Sequence, residues 1–373
     1  MDSGGKIMSG RVLILTSERI DTPGGMEHVL SELKKGLDGV GYSVSVLHRE
    51  NVAPGWVVRP RNKWMAYVAD VALSWYLGRK VGELRGLDLV AIVSNGPLGW
   101  YLPRLPKSVK KVHFYHGTYR GQAQVIRPFI AAAGAFKLKW WDSMVLERQS
   151  GRGKVIVCNS DQTRREIQDF FGYLGKTIWL PLDTQHFAPR DQLESRQRLK
   201  LPEARKIGLF VGSSQPTKGL STVLKLIQVF PEVHWCLALR GSIPAELESS
   251  ENLSVIPDAG RDLLPWLYNA ADFSVCPSLY ESFGYVVAES LACGVPVVAS
   301  LGGASSALLR DTPLSNLLVS DARSGPDFEN AIRGVLADSV HQREKVVRLV
   351  RPEIEKKMAL ENWLGRFREV TNI

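Results

Sequence analysis

Ser278-Leu-Tyr-Glu-Ser-Phe-Gly-Tyr-Val-Val-Ala-Glu-Ser-Leu-Ala-Cys-Gly-Val-Pro-Val-Val-Ala-Ser300 decides how the chain is read. It sets two carboxylates, Glu281 and Glu289, around a glycine loop at Gly284, with a helix start just after that loop. Ala292-Cys-Gly-Val-Pro296 then leads into an apolar, β-branched run, Val295–Ala299, that reads as the next buried strand. A loop whose backbone N–H groups open a helix, at the carboxyl end of a parallel strand, is a ready anion site. A glutamate a few residues into such a helix reaches a ribose diol. The stretch points to a nucleotide carrying phosphates, held by backbone and one carboxylate.

Outward from this stretch, short apolar runs alternate with helix-period segments, the pattern of a parallel α/β sheet. Expected strands in the first half are Arg11–Leu15, Ser43–Leu47, Leu89–Val93, Lys111–Tyr115 and Lys154–Cys158, with helices such as Glu27–Leu37 and Trp64–Leu84 between them. A second series follows: Ile207–Val211, Val233–Leu239, Leu253–Ile256, Phe273–Cys276 and Val295–Ala299. Asp327–Val350 and Pro352–Val370 read as helices. Two strand–helix series predict two Rossmann-like, doubly wound domains facing each other across a cleft. The changeover falls in the proline-bearing loop Trp179–Pro189.

At 373 residues the chain has room for about two domains. A hydrophobic content of 45% and mean hydropathy of −0.07 describe a globular protein, and no apolar run approaches the roughly 20 residues that cross a bilayer. Met1–Gly10 carries no apolar signal core, which points to the cytoplasm. The four cysteines, Cys158, Cys236, Cys276 and Cys293, have no metal-binding spacing and read as small core residues in a reducing compartment. A net charge of +9 favours an anionic partner. No nucleic-acid motif or Lys/Arg block supports nucleic acid, so a phosphorylated substrate or an anionic membrane fits better.

The Glu281–Glu289 segment resembles the E-x7-E signature of the retaining GT-B glycosyltransferases of family four (group 1). Cys293, Gly294, Pro296, Val297 and Val298 continue the match into that family's C-G-x-P-V-V strand. The resemblance implies an N-terminal acceptor-side domain over 1–182, joined by a returning C-terminal helix over 352–373. It implies a C-terminal nucleotide-sugar donor domain over 183–351. Pro181, Asp183 and Phe187 match the family's interdomain linker without its N-G pair. The implied activity is metal-independent transfer of a sugar, with retention, from a nucleoside diphosphate sugar to a hydroxyl on a saccharide or lipid-linked acceptor. No cofactor is implied. Surface polysaccharide, lipopolysaccharide or glycolipid assembly at the cytoplasmic side is the implied setting. A nucleotide-sugar epimerase of the same fold and a non-catalytic nucleotide-sugar or glycan-binding protein are the alternatives.

Further positions carry the resemblance. Gly24 and Gly25, after the first strand, leave backbone open to close approach by substrate, and resemble the family's G-G-x-E loop facing donor phosphates and acceptor. His116, following the strand Lys111–Tyr115, corresponds to a family histidine near the reacting sugar carbon; His113, within the strand, reads as structural. Gly212-Ser-Ser-Gln-Pro-Thr-Lys-Gly219 resembles the donor-phosphate loop, with Lys218 matching and Ser213 standing where the family has an arginine. Arg240, at a neighbouring strand end, is a candidate substitute. Ser306 or Ala307 stands where relatives carry a glutamate after Gly302-Gly303. Donor contacts therefore fall on Glu289 and on Ser282, Phe283, Gly284 and Tyr285. The implied catalytic set is Glu281, His116 and Lys218. Ser160 reads as a helix N-cap. Finally, Tyr119–Lys154 gathers Arg120, Arg127, Lys137, Lys139, Arg148, Arg152 and Lys154 around Trp140 and Trp141. Two readings stand: peripheral contact with an anionic membrane, or a solvated basic face with its tryptophans in the core.

Overall fold

A computed structural model describes residues 10–373, apart from Pro23, Leu87, Ser242, Ala245, Glu246, Glu248, Ser249 and the side chain of Lys63. The reading of Met1–Gly10 as lacking a signal core concerns residues that, but for Gly10, lie outside this set. The described residues form two compact units: those up to Pro181 together with Leu360–Ile373, and Leu182–Ala359.

The second unit is built on a six-stranded sheet of β7 (Ile207–Ser213), β8 (His234–Arg240), β9 (Leu253–Pro257), β10 (Phe273–Cys276), β11 (Val297–Ser300) and β12 (Leu318–Val319). Their order is β12-β11-β10-β7-β8-β9 and every pairing between them is parallel. This is the doubly wound order, in which connections leave in opposite directions from β7 and β10. All four residues of β10 and of β11 are buried, as expected of central strands covered on both faces. The start of β10 is pinned to the start of β7 by Asp272. Its carboxylate accepts from Arg196 Nη2 at 2.7 Å, Ile207 N at 2.8 Å and Lys206 Nζ at 3.2 Å.

The first unit has β1 (Arg11–Leu15), β2 (Ser43–Leu47), β3 (Leu89–Asn95), β4 (Lys110–Tyr115), β5 (Val155–Cys158) and β6 (Lys176–Thr177), in the parallel order β2-β1-β3-β4-β5-β6. The direction of winding reverses between β1 and β3. Leu13, Leu15 and Ile92 from the sheet pack on Leu73, Leu77 and Val81 of the helix Lys63–Leu84. The terminal helix Leu360–Thr371 buries Trp363 and Phe367. It approaches the helix Gly25–Gly39 at Gly36, where an added Cβ would lie 2.9 Å from Leu364 Cδ2.

Several boundaries differ from the sequence reading. The segment that joins the first unit begins at Leu360, not 352, because Ile354 and Met358 are buried within the second unit and Ala359 leaves helical geometry (φ −54°, ψ 136°). The helix expected over Asp327–Val350 breaks at Asp338 (φ −154°, ψ 57°). The strands β6 and β12 were not expected, since two residues each are too few to show a period.

Candidate functional site

In the second unit the loops after β7 and β10 leave the sheet side by side at its switch point, where open α/β sheets bind ligands. Two backbone features hold these loops together. Leu279 N donates to Thr217 O at 2.8 Å, and Gly219 (φ +75°) lies so close to the next loop that a Cβ there would sit 2.0 Å from Pro277 O. No side chain fits at Gly219. The contact brings Lys218 Nζ to 2.9 Å from Glu281 Oε2, with the two side chains only 34% and 21% exposed. The Glu281 carboxylate raises the Lys218 ammonium pKa against the opposing effect of burial, so this lysine is charged.

Gly284 (φ +93°) is the left-handed residue that opens the helix Tyr285–Ala292. A Cβ at Gly284 would lie 3.0 Å from Glu281 Cγ, so the glycine both turns the chain and leaves room for that side chain. Phe283 is buried beside Tyr285, ring centroids 5.3 Å apart. Further along the helix, Glu289 is 6% exposed and its Oε2 accepts from Tyr268 Oη at 3.0 Å. Burial pushes the Glu289 carboxyl above the ordinary range, partly offset by Arg261, the Tyr268 hydroxyl and His186. Tyr268 keeps its proton, since burial and the adjacent carboxylate both oppose its ionisation. Arg261 Nη2 is buried with no hydrogen-bond partner among the described residues, while its guanidinium lies 5.2 Å from the Phe187 ring.

Ser213 is the last residue of β7 and pairs in register with Arg240, the last residue of β8. Register partners on parallel strands share a face, so Arg240 rises beside the position that Ser213 leaves without charge. Arg240 is exposed, and its charge is felt at Lys218, whose pKa it lowers. Gly212 is packed against Phe210, 2.8 Å from a would-be Cβ. At Gly302-Gly303 the hydroxyl of Ser306 accepts from Gly302 N at 3.0 Å and is thereby committed to its own turn.

In the first unit, Gly24 is the extended N-cap of the helix Gly25–Gly39, and His28 N donates to its carbonyl at 3.1 Å. His116 follows the end of β4 and stacks on Phe114, ring centroids 4.5 Å apart. Its Nε2 is buried with no hydrogen-bond partner among the described residues, and burial holds its pKa down at about 3. His116 is therefore a neutral imidazole. His113 hydrogen-bonds Ser94 Oγ through Nδ1 at 2.9 Å inside the sheet. Ser160 accepts from Thr163 N at 3.1 Å, the N-cap its position suggested.

The predicted positions thus fall into two sets. Lys218, Glu281, Gly284 and Glu289, with Gly212, Ser213, Ser282, Phe283 and Tyr285, belong to the second unit; Gly24, Gly25 and His116 belong to the first. Tyr268 and Arg261 were not found from sequence, because neither lies in a motif. They meet Glu289 only through packing around the helix Leu264–Ala270 and the loop before it. Among the described residues no group of three or more His, Cys, Asp or Glu is placed to hold a metal ion.

Two family models match in tandem: Glycosyltransferase Family 4 over residues 23–184 and Glycosyl transferases group 1 over residues 191–349. The chain belongs to this glycosyltransferase family. The fold of this family four member is GT-B. Sucrose-phosphate synthase from Thermosynechococcus elongatus superposes with a TM-score of 0.79 at 17% identity, covering 97% of this chain and 98% of that one. WaaG, a glycosyltransferase involved in lipopolysaccharide biosynthesis, gives 0.74 at 15% identity, covering 97% and 100%. Among sequences, D-inositol 3-phosphate glycosyltransferase of Geodermatophilus obscurus is 34% identical over 205 residues, 49% of this chain and 45% of the relative. The counterpart in Thermomonospora curvata is 30% identical over 220 residues, 51% and 50%. The chain spans about half the length of these named relatives.

Proposed function

We propose that the protein is a retaining glycosyltransferase that moves a sugar from a nucleoside diphosphate sugar to a hydroxyl acceptor in surface polysaccharide or glycolipid assembly. The observation that carries this reading is the Lys218–Glu281 ion pair at the switch point of the second unit, with the buried Glu289 on the helix that follows Gly284. Among the structural relatives, HepE from Anabaena in complex with UDP-glucose (TM-score 0.68, 16% identity) is in keeping with a nucleotide-sugar donor.

In this reading the second unit binds the donor and the first serves the acceptor. Glu289 accepts from the ribose hydroxyls. The first-turn amides after Gly284 and the Lys218 ammonium face the diphosphate, whose charge grows as it leaves. Unliganded, Lys218 and Glu281 cancel one another. When Glu281 turns to the hydroxyls of the bound sugar, the lysine charge is released to the leaving group. The bond from the anomeric carbon to the diphosphate breaks, the acceptor oxygen bonds on the same face, and its proton passes to the departing phosphate oxygen. Neutral His116 is suited to hydrogen-bonding a sugar hydroxyl rather than to countering charge. Arg240 supplies the second cation that Ser213 lacks. The reaction is proposed to run without a metal, so turnover should survive a chelator.

The test is a thermal-shift screen against UDP, GDP, ADP and CMP and their sugars, since a ligand that binds only the folded state raises its stability. Stabilisation by one nucleoside diphosphate, followed by acceptor-dependent product, supports the reading. No shift with any of them overturns it, and an isomerised sugar formed without acceptor would make the protein an epimerase.

A further inference from the structure

In the first unit three helical segments, Ala132–Phe136, the π-helical Lys137–Glu147 and Arg148–Gly151, continue into one another with helical backbone at each junction. Polar side chains sit inward here beside Leu146, and several large apolar ones sit outward. Asp142, Ser143, Glu147 and Ser150 are buried, while Phe136 is 65%, Trp140 51%, Trp141 44% and Val145 40% exposed. Three of the inward polar groups are satisfied locally: Glu147 accepts from Tyr119 N at 3.1 Å, Asp142 pairs with Lys137 at 2.8 Å, and Ser150 Oγ donates to Leu146 O at 2.8 Å. The outward apolar face has no such account, and a surface of this kind on a folded protein marks an interaction site.

The face extends beyond one helix. Phe129, in the preceding turn, is 48% exposed, and Phe136 and Trp140 have ring centroids 6.3 Å apart. Lys137 Nζ lies 4.1 Å from the ring centroid of Tyr67, one turn along from Trp64, which is 72% exposed. Along Tyr119–Lys154 itself the exposed charge has one sign. Asp142 and Glu147 are the acidic residues between Tyr119 and Lys154, and both are buried, whereas Arg127, Lys139, Arg148 and Arg152 are exposed.

We propose that this face docks on an anionic lipid bilayer, with Phe136, Trp140 and Trp141 in the headgroup layer and Arg127, Lys139 and Arg148 against lipid phosphates. Tryptophan places an apolar ring and a hydrogen-bonding N–H at the boundary between hydrocarbon and water. Cations of one sign complement a laterally uniform negative surface better than a protein surface of mixed charge. No helix among the described residues is long and apolar enough to cross a membrane, so the contact is peripheral, with the helix lying in the interfacial plane. The proposal does not depend on the donor reading, and either can fail without the other.

The full chain is sedimented with phosphatidylcholine vesicles with and without phosphatidylglycerol, and its tryptophan emission is followed in vesicles of brominated lipid. Binding should require phosphatidylglycerol, and raised salt or the double change Arg127→Glu, Lys139→Glu should weaken it by about tenfold or more. Trp140→Ala with Trp141→Ala should lose the bromine quenching while keeping the circular dichroism of the parent. Failure of the parent protein to bind anionic vesicles overturns the proposal, as does binding that is indifferent to phosphatidylglycerol, to salt or to the paired tryptophan change. A parent dimer in solution that this change converts to monomer, with no vesicle binding, would assign the face to a second protein instead.

Discussion

The carboxyl edges of the two sheets are built from different chemistry. In the second unit the edge is ionic: Lys218 and Glu281 meet at 2.9 Å, held by two glycines whose positive φ and close packing exclude any side chain or leave room for one. In the first unit the edge is neutral: His116 lies on Phe114 with its Nε2 buried, and burial rather than any neighbouring charge keeps the ring unprotonated. The contrast suits a reaction with two unlike halves. Departure of a phosphate anion needs preorganised charge, whereas a sugar or its acceptor needs uncharged hydrogen-bonding groups that will not compete for the anion.

The hardest test of this contrast is Lys218→Ala. It removes the cation and leaves Glu281 without its partner, so turnover should fall by about 10²–10³-fold, measured as kcat with saturating donor. A variant that kept its rate would make the ionic edge an ordinary structural pair.

Glu289→Gln should weaken nucleoside diphosphate binding by roughly 10–100-fold, the loss of hydrogen bonds to a charged acceptor. Its pH dependence separates site from scaffold. Burial raises the Glu289 carboxyl above its ordinary 4.5, so the proton arrives at a higher pH than on an exposed glutamate, and affinity should fall as pH falls through that raised value. The free protein should respond in the opposite sense. The native state holds this proton more tightly than the unfolded chain does, so this group's contribution to stability declines as pH rises above 4.5. Isothermal titration across pH checks the affinity and denaturant unfolding across pH checks the stability, with Glu289→Gln as the flat control in each.

Arg240→Ala should cost about fivefold in affinity for a nucleoside diphosphate and little for the matching monophosphate, because an exposed cation contributes only about 1 kcal/mol. Adding Ser213→Arg should restore the loss if the two positions serve one anion. The smallest effect concerns the neutral edge. With the His116 pKa near 3, no inflection assignable to this residue should appear in kcat/KM around pH 6.5, and His116→Asn should leave the shape of the profile unchanged. An inflection that His116→Asn abolishes would show a histidine that charges during turnover, and the contrast between the edges would disappear.

Much of this was legible because it is local. The run from Ser278 to Ser300 carries its own glycines, helix start and β-branched strand, and the alternation of strands and helices follows from side-chain period. Lys218 and Glu281 were each visible in a motif, but their ion pair was not, since it depends on Leu279 N reaching Thr217 O across two connections. The fate of Trp140 and Trp141 was open in the sequence for a related reason. A π-helical turn shifts which side chains share a face, and here it turns Asp142 and Glu147 inward and both tryptophans outward.

The parallel α/β architecture, the two strand–helix series and the loops that gather at strand ends are written locally in the chain, because strand period, helix period and glycine chemistry act over a few residues. Tertiary packing alone sets Arg261 near Glu289, has Tyr268 donate to that carboxylate, stands Arg240 in register with Ser213, and begins the residues returning to the first unit at Leu360. Those are long-range contacts, set by how helices pack on a sheet and by strand order, and no spacing along the chain encodes them.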